Sequence, residues 1–141
     1  MKILLALDGS ENSFRAAEYA ASIMQYFPGS RLTIVFVDTL AIQIKMKGGV
    51  LPADFEDMVD QGLKTSLERA EKIFAERQLP YNIKVLEGYD VAETICDYAA
   101  EYNYEQIIMG TRGLGNIKGI VLGSVSHKVI QIAPCPVTFV K

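Results

Sequence analysis

Four short apolar runs constrain this chain more than anything else in it: residues 2–7 (KILLAL), 32–37 (LTIVFV), 107–109 (IIM) and 137–140 (VTFV). A strand with one face in water alternates apolar and polar residues. Near-continuous runs instead mark strands buried on both faces, as in a parallel sheet covered by helices. Between the first two runs, Phe14, Ala17, Ala20, Ala21 and Met24 recur at helical spacing, with Ser10 or Glu11 as the start and Pro28-Gly29 as the stop. Residues 55–77 repeat that logic through Phe55, Val59, Leu63, Leu67, Ala70 and Phe74, with Glu56, Asp60, Lys64 and Glu68 on the opposite face and Pro80 beyond the end. Residues 82–86 read as a third strand and Gly88 as a turn. Asp90 fits an N-cap with Glu93 in the capping-box position, for a helix to about residue 102.

The resulting order is β-α-β-α-β-α-β-α-β. Right-handed crossovers between parallel strands make this one α/β domain spanning residues 1–141, a five-stranded parallel sheet with helices on both faces. Residues 39–54 show no clear periodicity and are long for a connection. They read either as a functional cover over the sheet edge or as a plain variable loop.

Residues 109–124, MGTRGLGNIKGIVLGS, place five glycines and an early-helix serine directly after the third apolar run. A strand that opens into a glycine-rich loop can bring backbone N–H groups close to an anion, and a helix starting at Gly123-Ser124 adds unpaired donors and its positive dipole end. Two familiar phosphate motifs do not fit. No glycine is followed by Lys-Ser or Lys-Thr, which excludes a P-loop, and Gly113-Leu114-Gly115 is followed by Gly119 one residue too late for a dinucleotide fingerprint. What remains is Gly110, two residues, Gly113, nine residues, Gly123-Ser124.

That spacing, with Leu7-Asp8-Gly9-Ser10 at the first strand end and Ala133-Pro134-Cys135-Pro136-Val137 before the last strand, resembles the ATP-binding branch of the universal stress protein family. The resemblance runs in order along nearly the whole chain and implies a Rossmann-like fold with strand order 3-2-1-4-5. It implies that Ala6 lines the pocket, that Asp8 approaches the ribose, that the backbone at Val37 contacts adenine, and that the loop from Gly110 to Ser124 wraps ribose and phosphates.

The residue chemistry agrees with that division. An ionised Asp8 is acceptor-only and suits a ribose hydroxyl, although Asp8-Gly9-Ser10 also reads as a turn and helix cap. In an open α/β sheet the ligand cleft lies at the carboxyl ends of the strands, where Asp8, Val37-Asp38 and Met109-Gly110 converge. Gly110 and Gly113 admit close backbone approach, and Gly123 and Ser124 offer donors to a β- or γ-phosphate. Arg112 and Lys118 add positive charge, Asp38 can position Mg²⁺ through water, and His127 falls about one turn into the last helix, facing solvent.

The rest of the composition mainly excludes. A net charge of −3 and a pI near 5.2 argue against a nucleic-acid partner. The absence of an 18-residue apolar run argues against a membrane span, and Asp8 ends the N-terminal run too early for a secretory signal, so a cytoplasmic location is expected. Cys96 and Cys135 lack C-x-x-C spacing and read as free thiols, and a single histidine forbids a multi-histidine metal site within one chain. No carboxylate–histidine relay, Walker lysine or nucleophile elbow is visible. The expectation is therefore an adenine-nucleotide-binding protein, taking ATP with Mg²⁺, with a nucleotide-dependent regulatory role in stress. A slow ATPase and a nucleotide-independent dimeric interaction module are the alternatives. A homodimer through residues 136–140 is expected, because the family order puts that strand at a sheet edge.

Overall fold

The computed structural model describes residues 1–50, 53, 55–113 and 122–141. Its elements are β1 (Lys2–Ala6), α1 (Glu11–Tyr26), β2 (Arg31–Asp38), α2 (Leu40–Met46), α3 (Phe55–Ala75), β3 (Tyr81–Glu87), α4 (Val91–Glu101), β4 (Gln106–Gly110), α5 (Ser124–Ile132) and β5 (Val137–Val140). The strands form one sheet in the order β3-β2-β1-β4-β5, and every neighbouring pair is parallel. Ile3, Leu4 and Leu5 of the central strand are each 0% exposed, so β1 is covered on both faces. Ile3, Leu5 and Leu7 pack with α1 and α3, whereas Leu4 and Ala6 pack with α4 and α5.

On the first face, Ala16, Ala17, Ala20 and Ala21 let α1 lie close to the sheet. Ser10 caps α1: its Oγ accepts from the Ser13 N–H at 3.2 Å, and the Ser13 hydroxyl donates to the Ser10 carbonyl at 2.8 Å. Beside α1, helix α3 buries Ala70, Ile73 and Phe74. Arg69 of α3 donates to both carboxylate oxygens of Glu11, at 2.6 and 2.9 Å, with its guanidinium carbon 3.9 Å from the Phe14 ring centroid. The hydrogen bond from Arg69 holds the Glu11 carboxyl below its ordinary range. The expected apolar stripe of α3 holds from Leu63 onward; the side chains of Phe55 and Val59 lie outside the described residues.

Helix α2 departs from the sequence expectation, which had no helix in residues 39–54. Asp38 Oδ1 accepts from the Leu40 N–H at 3.0 Å and starts the helix. A Schellman turn ends it: the Gly48 N–H donates to the Lys45 carbonyl at 3.1 Å and the Gly49 N–H to the Ile44 carbonyl at 3.0 Å, with Gly48 at φ +72°. Leu40, Ile42 and Ile44 alternate as a strand would, and two turns are too few for a helical period to show. The structural order is therefore β-α-β-α-α-β-α-β-α-β.

On the second face, Asp90 caps α4 as expected, its Oδ1 accepting from the Glu93 N–H at 3.0 Å. The capping box closes differently. Glu93 and Asp90 both accept from Lys128 of α5, at 2.8 and 2.9 Å, which ties α5 to α4. The backbone hydrogen bond from Glu93, and then that from Lys128, hold the Asp90 carboxyl below its ordinary value of 3.8. A carboxyl depressed by folding contributes stability that is present above its unfolded pKa and is lost as pH falls through the folded one. Asp90→Asn keeps the cap but not the charge, so its denaturant-unfolding free energy should fall less steeply than wild type between about pH 5 and pH 2.

Candidate functional site

Because β1 is followed by α1 on one face and β4 leads to α5 on the other, the chain diverges beyond the carboxyl end of β1 and opens a crevice there. The crevice is a cavity of about 890 Å³, within the ordinary range for small-molecule sites. Ala6, Asp8, Val37, Met109, Gly110, Arg112, Gly113, Gly123 and Ser124 all line it. Residues from four separate stretches of chain, expected at one site, are thus brought together. Asp38 and His127 also line the cavity, whereas Lys118, within residues 114–121, lies outside the described residues.

Each wall has its own origin. At the end of β1, Asp8 Oδ1 accepts from the Ser10 N–H at 2.9 Å, so the aspartate does form the turn that leads into the α1 cap. Its other oxygen, Oδ2, lies 2.6 Å from the place a Cβ on Gly113 would take. Gly113 therefore keeps space open for the Asp8 carboxylate. The β1–β2 ladder ends with the Leu7 N–H donating to the Val35 carbonyl at 2.9 Å. Backbone polar groups alternate sides along a strand, so the N–H and carbonyl of Val37 point the same way as those of Val35, past the end of β1 and into the crevice.

Gly110 lines the cavity as expected, but its lack of a side chain has a cause within the protein itself. A Cβ there would lie 2.9 Å from the carbonyl carbon and Cβ of Asn12 and 3.0 Å from the Ser13 nitrogen, so its glycine is required by the first turn of α1. The Gly110 carbonyl accepts from the buried Ser126 hydroxyl at 3.1 Å, which fixes the start of α5 against the end of β4. Gly123 differs in part from its expected role. Its N–H donates to the Thr111 carbonyl at 2.8 Å and so is not free for an anion, and a Cβ on it would meet only ordinary contacts, the nearest at 3.5 Å. The Gly123 carbonyl accepts from the His127 N–H at 2.9 Å. The N–H groups of Ser124, Val125 and Ser126 are left as the donors of the first helical turn, facing a cavity that Ser124, Val125 and Ser126 line.

Several lining residues escape the sequence reading. Val91 and Ile95 of α4 and Val125 of α5 make the wall on the α4–α5 face apolar, while Gly62, Leu63 and Ser66 of α3 close the other side. Only helical periodicity marks them, and periodicity points to a core as readily as to a pocket. Among the described residues, no group of three or more His, Cys, Asp or Glu is arranged to hold a metal ion.

The universal stress protein family pattern matches residues 1–141. The chain belongs to the universal stress protein family. This member is 37% identical over 148 residues to the Thermus aquaticus universal stress protein in the QAH/OAS sulfhydrylase 3′ region, covering 99% of this chain and 97% of the relative. Its fold is similar to that of hypothetical protein MJ0577, with a TM-score of 0.83 and 25% identity over 99% of this chain and 94% of that one. It is also similar in fold to the universal stress protein from Archaeoglobus fulgidus solved in complex with dAMP, with a TM-score of 0.72 and 24% identity over 100% and 98% of the two chains.

The two loop glycines should separate by experiment. Gly110→Ala forces a side chain into the backbone of α1 and should lower the unfolding free energy by about 1–3 kcal/mol. Gly113→Ala displaces only the end of Asp8, so its denaturation midpoint should stay close to that of wild type.

Proposed function

We propose that this universal stress protein binds ATP in the crevice at the carboxyl ends of β1, β2 and β4 and acts as a nucleotide-dependent regulatory protein of the stress response. The observation that carries the reading is the convergence of an unpaired strand end, an acceptor carboxylate and a helix N-terminus on one cavity. Val37 offers a backbone donor and acceptor to the edge of an adenine, between the apolar side chains of Ala6, Met109, Val91 and Ile95. Asp8 accepts from a ribose hydroxyl with the oxygen that its own turn leaves over. The first-turn N–H groups of α5, the Ser124 hydroxyl and Arg112 receive the phosphates, where the helix dipole favours negative charge. The dAMP complex of the Archaeoglobus relative supports an adenine nucleotide as the ligand class.

The cavity residues fit Mg²⁺ carried in with the polyphosphate rather than held in a protein-built cage. Two carboxylates line it, Asp8 and Asp38, and each has one oxygen engaged by a backbone N–H. Mg²⁺ that enters on phosphate oxygens would neutralise part of their charge. Among the described residues that line the cavity, no serine or aspartate bonds a histidine or lysine, and the proposed activity is binding.

We further propose a symmetric homodimer through β5. The Ile107 N–H donates to the Pro136 carbonyl and the Thr111 N–H to the Val140 carbonyl, so Pro136, Thr138 and Val140 point their backbone groups at β4. Val137 and Phe139 then present theirs outward along the open edge, and Ile130 and Ile132 of α5 are exposed nearby in sequence. A two-fold axis would pair this edge with its copy.

Calorimetry with Mg²⁺ should rank ATP above ADP above AMP, because the donors of α5 lie beyond the ribose position. Equal affinities for all three would remove the phosphate assignment, and Ser124→Ala should cost ATP about 1–3 kcal/mol. For the dimer, a proline at Thr138 would break the β4–β5 ladder itself, so the test is amide exchange. The Val137 and Phe139 amides should be protected at tens of micromolar and lose protection on dilution to monomer; fast exchange at high concentration would refute the pairing.

A further inference from the structure

His127 is the only histidine of the chain, and it is among the residues that line the cavity, one turn along α5 from Ser124. Its residue begins the second turn of α5, the first whose N–H is satisfied within the helix. Its ring is exposed, with Nε2 3.5 Å from the side-chain nitrogen of Gln131. The charged groups around it divide cleanly. Asp8 and Asp38 lie on the strand-end side of the cavity, and Arg112 is on the loop. On α4, which packs along α5, Asp90 and Glu93 are both engaged by Lys128, and Asp97 is exposed further along. Asp90 and Glu93 are thus committed to the neighbouring lysine.

We propose that His127 is a proton-coupled phosphate ligand: a nucleotide polyphosphate entering the cavity draws a proton from solvent onto the imidazole, which then donates to phosphate oxygen. Imidazole is the side chain whose charge changes between pH 5 and pH 8, and an opposite charge within a few ångströms favours its protonated form. ATP is consequently held more tightly on the acid side of neutrality, and the site reports acidification together with nucleotide. This inference rests on the ATP-binding reading above and adds to it the residue that makes binding depend on pH.

A single histidine allows a direct test, since the imidazole Cε1–H of the untagged protein gives one resonance to follow by NMR. Its titration midpoint should rise by about one pH unit with saturating Mg-ATP, equivalent to about a tenfold tighter complex below both midpoints than above them. Adenosine should leave the midpoint in place. The surface variant His127→Gln, which keeps a donor but cannot titrate, should bind ATP with less pH dependence than wild type; the titration of ATP itself is common to both proteins. ATP that binds by calorimetry while the midpoint stays put would overturn this inference alone, as would an equal rise with adenosine. Failure of ATP to bind at either pH 6 or pH 8 would overturn the nucleotide reading and this inference with it.

Discussion

The backbone of α1 comes within 2.9 Å of the space a side chain on Gly110 would need, and much of the site hangs on that approach. It brings the start of a helix from one face of the sheet over the end of a strand whose following helix lies on the other face. Asn12 then reaches the Thr111 hydroxyl at 3.4 Å, the Ser10 hydroxyl reaches the Arg112 carbonyl at 3.4 Å, and Ser126 grips the Gly110 carbonyl from the opposite side. These contacts hold the β1 turn, the β4 loop and the start of α5 in one frame. The crevice exists because the frame fixes three pieces of backbone that are far apart in sequence.

Within that frame the glycines do different work, although they share one motif. Gly110 answers to the packing of the protein against itself, and Gly113 to the carboxylate of Asp8. Gly123 closes a backbone hydrogen bond to Thr111 and leaves the first-turn donors of α5 to the three residues after it. A substitution series over these positions therefore moves stability first and binding second at Gly110, with the reverse order at Gly113.

The strands are legible in the sequence because burial on both faces removes alternation, and residues 2–7 and 107–109 carry that signal in full. The caps at Ser10 and Asp90 are legible because a short polar side chain before an apolar-periodic stretch has few other uses. Helix α2 is not, since seven residues with Leu40, Ile42 and Ile44 in alternation imitate a strand; the pair Gly48-Gly49 was its only clear terminus signal. The strand-end residues of the cavity follow from a rule about open sheets. Ser66 and Ile95 do not, because their place at the cavity depends on how far along the sheet α3 and α4 extend, which no local pattern encodes.

The strand order carries a further consequence for biosynthesis. As the chain leaves the ribosome, β1, β2 and β3 with α1 and α3 can assemble on their own, since their pairings all lie within the first 87 residues. The other edge of β1 must then wait for β4, at residues 106–110, and for β5 at the end of the chain. For that interval the nascent protein exposes an open strand edge, its unpaired N–H and C=O groups flanked by the apolar side chains of Ile3, Leu4, Leu5 and Ala6, at what will become the centre of its sheet. A chaperone that shields extended apolar segments would find its target on β1 during this window, before the crevice has acquired its second wall.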